Sequence, residues 1–153
     1  PERRSLTVPT EELYRDDGIH YLTKGADELL TEIRVPAPNG WSAVYKKLRR
    51  RGAFDFPVLS VGAAVRREGE TVVEARIVLG AVSSAPVRAS LAEGLLAGQR
   101  LEEDVIARAA EAAAGPSRPM DNTDFSFLWR KDMTRKWVAA ALRQLAGPGG
   151  RAA

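Results

Sequence analysis

From Leu59 to Ala81 the sequence alternates so regularly that few folds can accommodate it. Leu59, Val61, Ala63 and Val65 fall at every second position, with Ser60, Gly62 and Ala64 between them. That is the two-residue period of a strand with one buried face. Arg67-Glu68-Gly69-Glu70 supplies a hairpin turn. The returning strand is predicted to place Val73, Ala75, Ile77, Leu79 and Ala81 on one face, with Glu74 and Arg76 on the other. The second face of the first strand is small but uncharged, so something packs against it or approaches it closely.

Around this hairpin the chain turns from strand-rich to helix-rich. Trp41 to Arg50 reads as a strand carrying Val44, Tyr45 and Leu48, followed by the basic and aromatic loop Arg51-Gly52-Ala53-Phe54-Asp55-Phe56-Pro57. Val87 to Leu96 reads as a short helix. Leu101 to Ala114 reads as a better one, with Leu101, Val105, Ile106, Ala109, Ala110 and Ala113 on one side and Gly115-Pro116 at its end. Asp121-Asn122-Thr123-Asp124 is a dense capping cluster. It is expected to open a long helix bearing Phe125, Leu128, Trp129, Met133, Trp137, Ala141, Leu142 and Leu145 at three-and-four spacing. Gly147-Pro148-Gly149-Gly150 stops that helix, and residues 147–153 are expected to be a disordered tail. Strands first and helices last favour an α+β fold, an antiparallel sheet backed by a small helix bundle.

The N-terminal third is more broken. Leu6-Thr7-Val8 suggests a short strand, and Thr10 to Tyr14 one helical turn capped by Thr10. His20 to Thr23 and Leu29 to Val35 read as two strands reversed through Lys24-Gly25-Ala26-Asp27. Pro36, Pro38, Asn39 and Gly40 mark a subdomain boundary. Pro1 in place of an initiator methionine leads us to expect a piece of a longer chain.

Composition narrows the chemistry. The chain has 153 residues, no cysteine and one histidine, His20. Thiolate metal sites and cysteine nucleophiles are excluded, and any Ser-His-Asp triad would have to use His20. No apolar run approaches the roughly 20 residues of a membrane span. No glycine-rich phosphate loop follows a strand and opens a helix. Asp16-Asp17 sits in a turn and Glu102-Glu103-Asp104 in the first turn of a helix, so both carboxylate groups have structural explanations. Net charge is +3, from 23 Lys+Arg against 20 Asp+Glu. The run Lys46-Lys47-Leu48-Arg49-Arg50-Arg51 admits two readings: long side chains reaching water from a strand and loop, or a cradle for a phosphate, a nucleic acid or an electron-rich cofactor ring. Arg130, Lys131, Arg135 and Lys136 form a basic face on the last helix, read as solvated or as a partner contact.

Four segments, in order, resemble one family: Asp27 to Pro36; Ser42 through Tyr45-Lys46-Lys47 to Val61; Ile77 to Val82 with Pro86-Val87-Arg88; and Asp121 to Asp124 with Trp129 to Met133. The chain resembles the FAD-binding subunit of molybdenum hydroxylases. That family includes the medium subunit of aerobic carbon monoxide dehydrogenase, the flavin part of xanthine dehydrogenase and the beta subunit of 4-hydroxybenzoyl-CoA reductase. The resemblance implies the end of an FAD-binding domain over residues 1–36. It also implies a C-terminal domain over 37–146, built as an antiparallel three-stranded sheet packed on three helices. It further implies FAD as cofactor, a molybdopterin-binding large subunit and a 2Fe-2S small subunit as partners, and a cytoplasmic location. Carried over by position, Leu30 matches a strand residue packing near the flavin ring, Tyr45 an aromatic beside it and Lys47 a cation at its edge. Lys46 replaces Lys47 if the match slips by one. Arg51 and Asp55 lie in a loop that tunes the flavin's field in some relatives. A basic nucleic-acid-binding module using Lys46 to Arg51 and an interaction domain using Arg130, Lys131 and Arg135 are the competing readings.

Overall fold

The structure, a computed structural model, describes residues 5–52, 54–121 and 125–147. Four strands, β1 (Trp41–Leu48), β2 (Leu59–Glu68), β3 (Thr71–Gly80) and β4 (Val87–Arg88), pair antiparallel in the order β1-β2-β3-β4. Three helices, α1 (Ser90–Leu96), α2 (Glu103–Ala113) and α3 (Phe127–Ala146), form the second layer, α1 and α3 packing on one sheet face and α2 packing against both of those helices. The core lies between the layers: Leu59, Val61, Ile77 and Leu79 from the sheet meet Leu96, Ile106, Val138, Leu142 and Leu145 from the helices. The α+β class and the helix layer follow the sequence reading, with four strands in place of three.

The extra strand is Val87–Arg88, which the sequence reading assigned to the start of α1. These residues pair with Leu79 and Val78, and the Ala89 N–H donates to the Ile77 carbonyl at 2.9 Å. The helix therefore starts only at Ser90.

The hairpin contains a bulge. Arg66 faces Glu74 but Arg67 faces Val72, so Val73 is the extra residue on β3. A bulge inverts the side-chain alternation beyond it. Val72 is therefore fully buried and Val73 is 38% exposed, the reverse of the expected pattern. Ala81, expected on the buried face of β3, lies just past its end with φ 64°. Truncating Val72 to alanine is expected to cost about 2 kcal/mol in urea unfolding, against under about 0.5 for Val73→Ala. Equal losses would restore the uninterrupted alternation.

In α3 the capping residue is Ser126, whose Oγ accepts the Trp129 N–H at 3.3 Å. The expected cap cluster gives way to it, and Asn122 to Asp124 lie outside the described residues. Ala141, Leu142 and Leu145 are buried as expected, and Met133 and Trp137 pack partly against the core. Leu128, however, is 75% exposed. The inward positions of the first turns are Arg130, Thr134 and Val138, so the buried stripe starts on an arginine, which hydropathy assigns to water. The expected tail falls outside the described residues after Gly147.

Upstream of β1 the expected strands are absent. Pro9 precedes a single 3-10 turn, Thr10–Leu13. One antiparallel bridge, Tyr14 to Leu22, is the pairing found there among the described residues. Leu29, Leu30, Ile33 and Val35 are exposed in a stretch without regular structure. A strand needs a neighbour to satisfy its backbone and cover its apolar side chains, and no described segment pairs with this one.

Candidate functional site

The sheet face away from the helices is open, and its register builds the candidate site. One row runs Tyr45, Gly62, Val78, Arg88 across the four strands, and the next runs Lys47, Ser60, Gly80. Ala43 and Ala64 continue the floor on the other side. Tyr45 and Lys47 thus project from an edge strand beside a strip of small residues. A Cβ on Gly62 would meet only the Val78 carbonyl, at 3.9 Å. A Cβ on Gly80 would come within 2.4 Å of Ser60 Oγ, so the Ser60 side chain fills the space that a side chain at Gly80 would need. Tyr45 is 67% exposed. Lys46 points the other way, with Val44 and Leu48, and a groove against Lys136 and Trp137 of α3 is lined by both Lys46 and Lys47 at the strand edge. Strand periodicity therefore puts Lys47, and not Lys46, on the face of Tyr45.

The loop after β1 is built around Asp55. Its carboxylate accepts the Arg51 N–H at 3.0 Å, the Phe56 N–H at 3.0 Å and the Arg51 guanidinium at 3.3 Å. The Arg51 N–H first, then the Arg51 guanidinium, hold the carboxyl below its ordinary value. Asp55 is a staple that shapes the loop. Its neighbours turn outward: Phe54, at φ 42°, is 99% exposed and Phe56 89%. Leu30 is exposed in the irregular stretch before β1, outside the sheet.

Arg130 holds the base of this corner. Its residue is 5% exposed. Its guanidinium donates to the carbonyls of Met120 at 3.1 Å, Val58 at 2.9 Å and Ala81. No carboxylate pairs with it among the described residues, and Nε lacks a partner there. Burial draws its pKa below the ordinary arginine value, and three carbonyl dipoles offset the cost of the charge. The sequence reading puts Arg130 on a basic outer face, solvated or in contact with a partner, whereas the structure buries it. What could have shown its burial is the spacing of 130, 134, 138, 141, 142 and 145, which tracks one helix face once polar residues are admitted to it.

The other candidate features are local structure. Asp17 accepts the N–H groups of Ile19 and His20 at 2.7 and 2.8 Å, closing its own turn. Glu103 pairs with Arg143. The basic face of α3 is largely paired: Arg135 bonds Glu111 and Asp132, and Lys136 bonds Asp132. The basic run is dispersed too, with Lys46 and Lys47 on opposite faces and Arg51 held by Asp55. No cluster of metal-ligating side chains occurs among the described residues, and no described helix is long and apolar enough to cross a membrane.

A family model described as the CO dehydrogenase flavoprotein C-terminal domain matches residues 43–145. The chain belongs to this family. The match runs from β1 to the end of α3, so the flavoprotein C-terminal domain includes Tyr45, Lys47, Asp55 and Arg130, whereas Leu30 lies upstream of it. The chain is 29% identical over 119 residues to the glyceraldehyde dehydrogenase medium chain of Sulfolobus acidocaldarius, covering 78% of this chain and 42% of that one. It is 27% identical over 99 residues to the aldehyde oxidoreductase FAD-binding subunit PaoB of Escherichia coli, covering 63% and 30%. The solved carbon monoxide dehydrogenase of Hydrogenophaga pseudoflava superposes with a TM-score of 0.81 at 28% identity, over 89% of this chain and 47% of that one. The chain thus spans less than half the length of these relatives.

Proposed function

We propose that this chain is the C-terminal part of the FAD-binding subunit of a molybdenum-containing hydroxylase or dehydrogenase. In this reading it covers the flavin and docks the molybdopterin-binding and 2Fe-2S subunits. Residues 37–146 form the covering domain and residues 1–36 the end of the FAD-binding domain. One observation carries the reading: Tyr45 and Lys47 stand on the same open sheet face, beside small residues, within the family-matched region.

That face suits a flavin ring. A planar ring system needs a flat floor, and Gly62, Ala64 and Ser60 keep side chains low there. Tyr45 offers an aromatic surface against the ring. Lys47 places a cation at the ring edge, with no partner among the described residues. Asp55 keeps the adjoining loop in one shape, and Leu30, in the upstream segment, would add an apolar side chain near the ring. Bound FAD supplies the capacity to take up and pass on an electron pair. In the FAD-loaded subunit the Lys47 ammonium would favour the reduced, more negative ring. The described residues offer no phosphate-gripping loop, so the pyrophosphate must be held by another part of the subunit.

The test is a redox titration of the complete subunit. Lys47→Ala is expected to lower the flavin midpoint potential by roughly 20–40 mV, the two-electron equivalent of about 1–2 kcal/mol for one partly solvated charge. Lys46→Ala should leave the potential in place, since its side chain lies on the other face. A complete subunit that shows no flavin absorbance would remove the reading.

A further inference from the structure

We infer that Arg130 is a positioning residue for Lys47 and the Asp55 loop, setting where that corner of the sheet stands relative to the flavin. The inference rests on the proposed function and deepens it.

The geometry is a chain of hydrogen bonds. The Val58 N–H donates to the Leu48 carbonyl at 2.8 Å, and the Val58 carbonyl accepts from Arg130 at 2.9 Å. Leu48 directly follows Lys47, and Val58 closes the loop that Asp55 shapes. On the other side Arg130 grips the carbonyl of Ala81, which directly follows Gly80. Gly80, Ser60 and Lys47 form one row of the sheet. Arg130 therefore holds both chain segments that flank that row, from the helix side, and ties them to the segment before α3 through Met120.

Backbone strain marks the same corner. Phe54 and Ala81 both adopt positive φ, at 42° and 64°, without being glycine. Such conformations cost energy and persist where surrounding contacts enforce them. Here the enforcing contacts are the Asp55 staple for Phe54 and the Arg130 clamp for Ala81. A planar fork with fixed donor directions suits a site that must serve three carbonyls together. Lysine, a point charge on a flexible stem, does not reproduce it.

The experiment uses the complete flavin-loaded subunit in its complex, carrying Arg130→Gln, Arg130→Lys, Lys47→Ala and the double variant Lys47→Ala/Arg130→Gln. Two quantities are read: the flavin midpoint potential and the rate of trypsin cleavage at Arg49 to Arg51. Arg130→Gln is expected to lower the potential in the same direction as Lys47→Ala and to speed cleavage several-fold. Arg130→Lys should fall between it and the parent. The double variant should shift the potential by less than the sum of the single shifts, because both act through one side chain. Leu145→Ala, a core truncation remote from the clamp, is the stability control and should leave the potential unchanged. If Arg130→Gln folds poorly, Arg130→Lys carries the test by the same two readings. An unshifted potential in a flavin-loaded Arg130 variant overturns the positioning role, as do fully additive shifts or parental cleavage rates. If Lys47→Ala alone leaves the potential unchanged, the cofactor reading of Lys47 fails instead, and the cleavage rates separate that result from a failure of the clamp.

Discussion

Replacing Arg130 with methionine is expected to destabilise this domain by about 3–5 kcal/mol, read as a fall in the urea midpoint without a change in slope. Methionine fills much of the same volume and carries no charge, so the cost of burying the guanidinium disappears. What remains is three carbonyls, of Met120, Val58 and Ala81, that lose their charged donor in a partly buried setting, Met120 itself being exposed. Each unsatisfied buried polar group costs about 1–3 kcal/mol, and partial access of water brings the sum below the simple total. Arg130→Lys should recover part of the loss. A change below about 1 kcal/mol would mean that the clamp forms at no net gain, as some buried charges do.

Glu93 carries the second large effect. It is 7% exposed on α1, accepts the Ile77 N–H at 2.9 Å and pairs with Arg88 at 2.6 Å. It thereby fastens the first helix to β3 and to the short strand β4. Glu93→Ala strands a buried backbone N–H and leaves Arg88 with the more distant Glu11, at 3.9 Å, as its ion-pair partner among the described residues. The expected loss is about 2–4 kcal/mol at neutral pH, measured by denaturant unfolding. Glu93→Gln can still accept from Ile77 and should lose about half as much.

The same carboxylate gives a pH signature. Burial by itself would push the Glu93 pKa up, but Arg88 and the Ile77 N–H together hold it below its ordinary value of 4.5. Because the folded-state value is depressed, the folded protein resists protonation that the unfolded chain accepts. The stabilisation is therefore present above about pH 4.5 and is lost as pH falls through the lower, folded-state value. Comparing the parent with Glu93→Gln removes the contribution of the other carboxylates. The stability gap should be constant near neutrality and close progressively below about pH 4.5. A gap that stays constant through the acid range would show that the ionised pair contributes nothing.

Several features were legible because they repeat along the chain. The alternation of Leu59 to Val65 marked both faces of β2, and the alanine-rich stripe of α2 marked its buried side. The four ordered segments also led to the family, which the match over residues 43–145 bears out. Reading failed where one residue broke the period. A single bulge at Val73 exchanged the roles of Val72 and Val73. Val87 and Arg88, beside a helical pattern, were drawn into the sheet by β3. Leu29 to Val35 has the composition of a strand, but composition does not supply the neighbouring strand that it requires.

The sequence by itself determined the α+β order, the small floor of β2, and the i, i+2 spacing that sets Tyr45 and Lys47 on one face. These are local properties, fixed by side-chain period and by the absence of a Cβ at Gly62. Only the tertiary structure decided that Arg130 is buried and that Val58, Ala81 and Met120 converge on it. Those carbonyls lie 72, 49 and 10 residues from Arg130 along the chain. A backbone carbonyl looks the same at every position in a sequence. Which of them need a charged donor is settled only when packing removes water from around them.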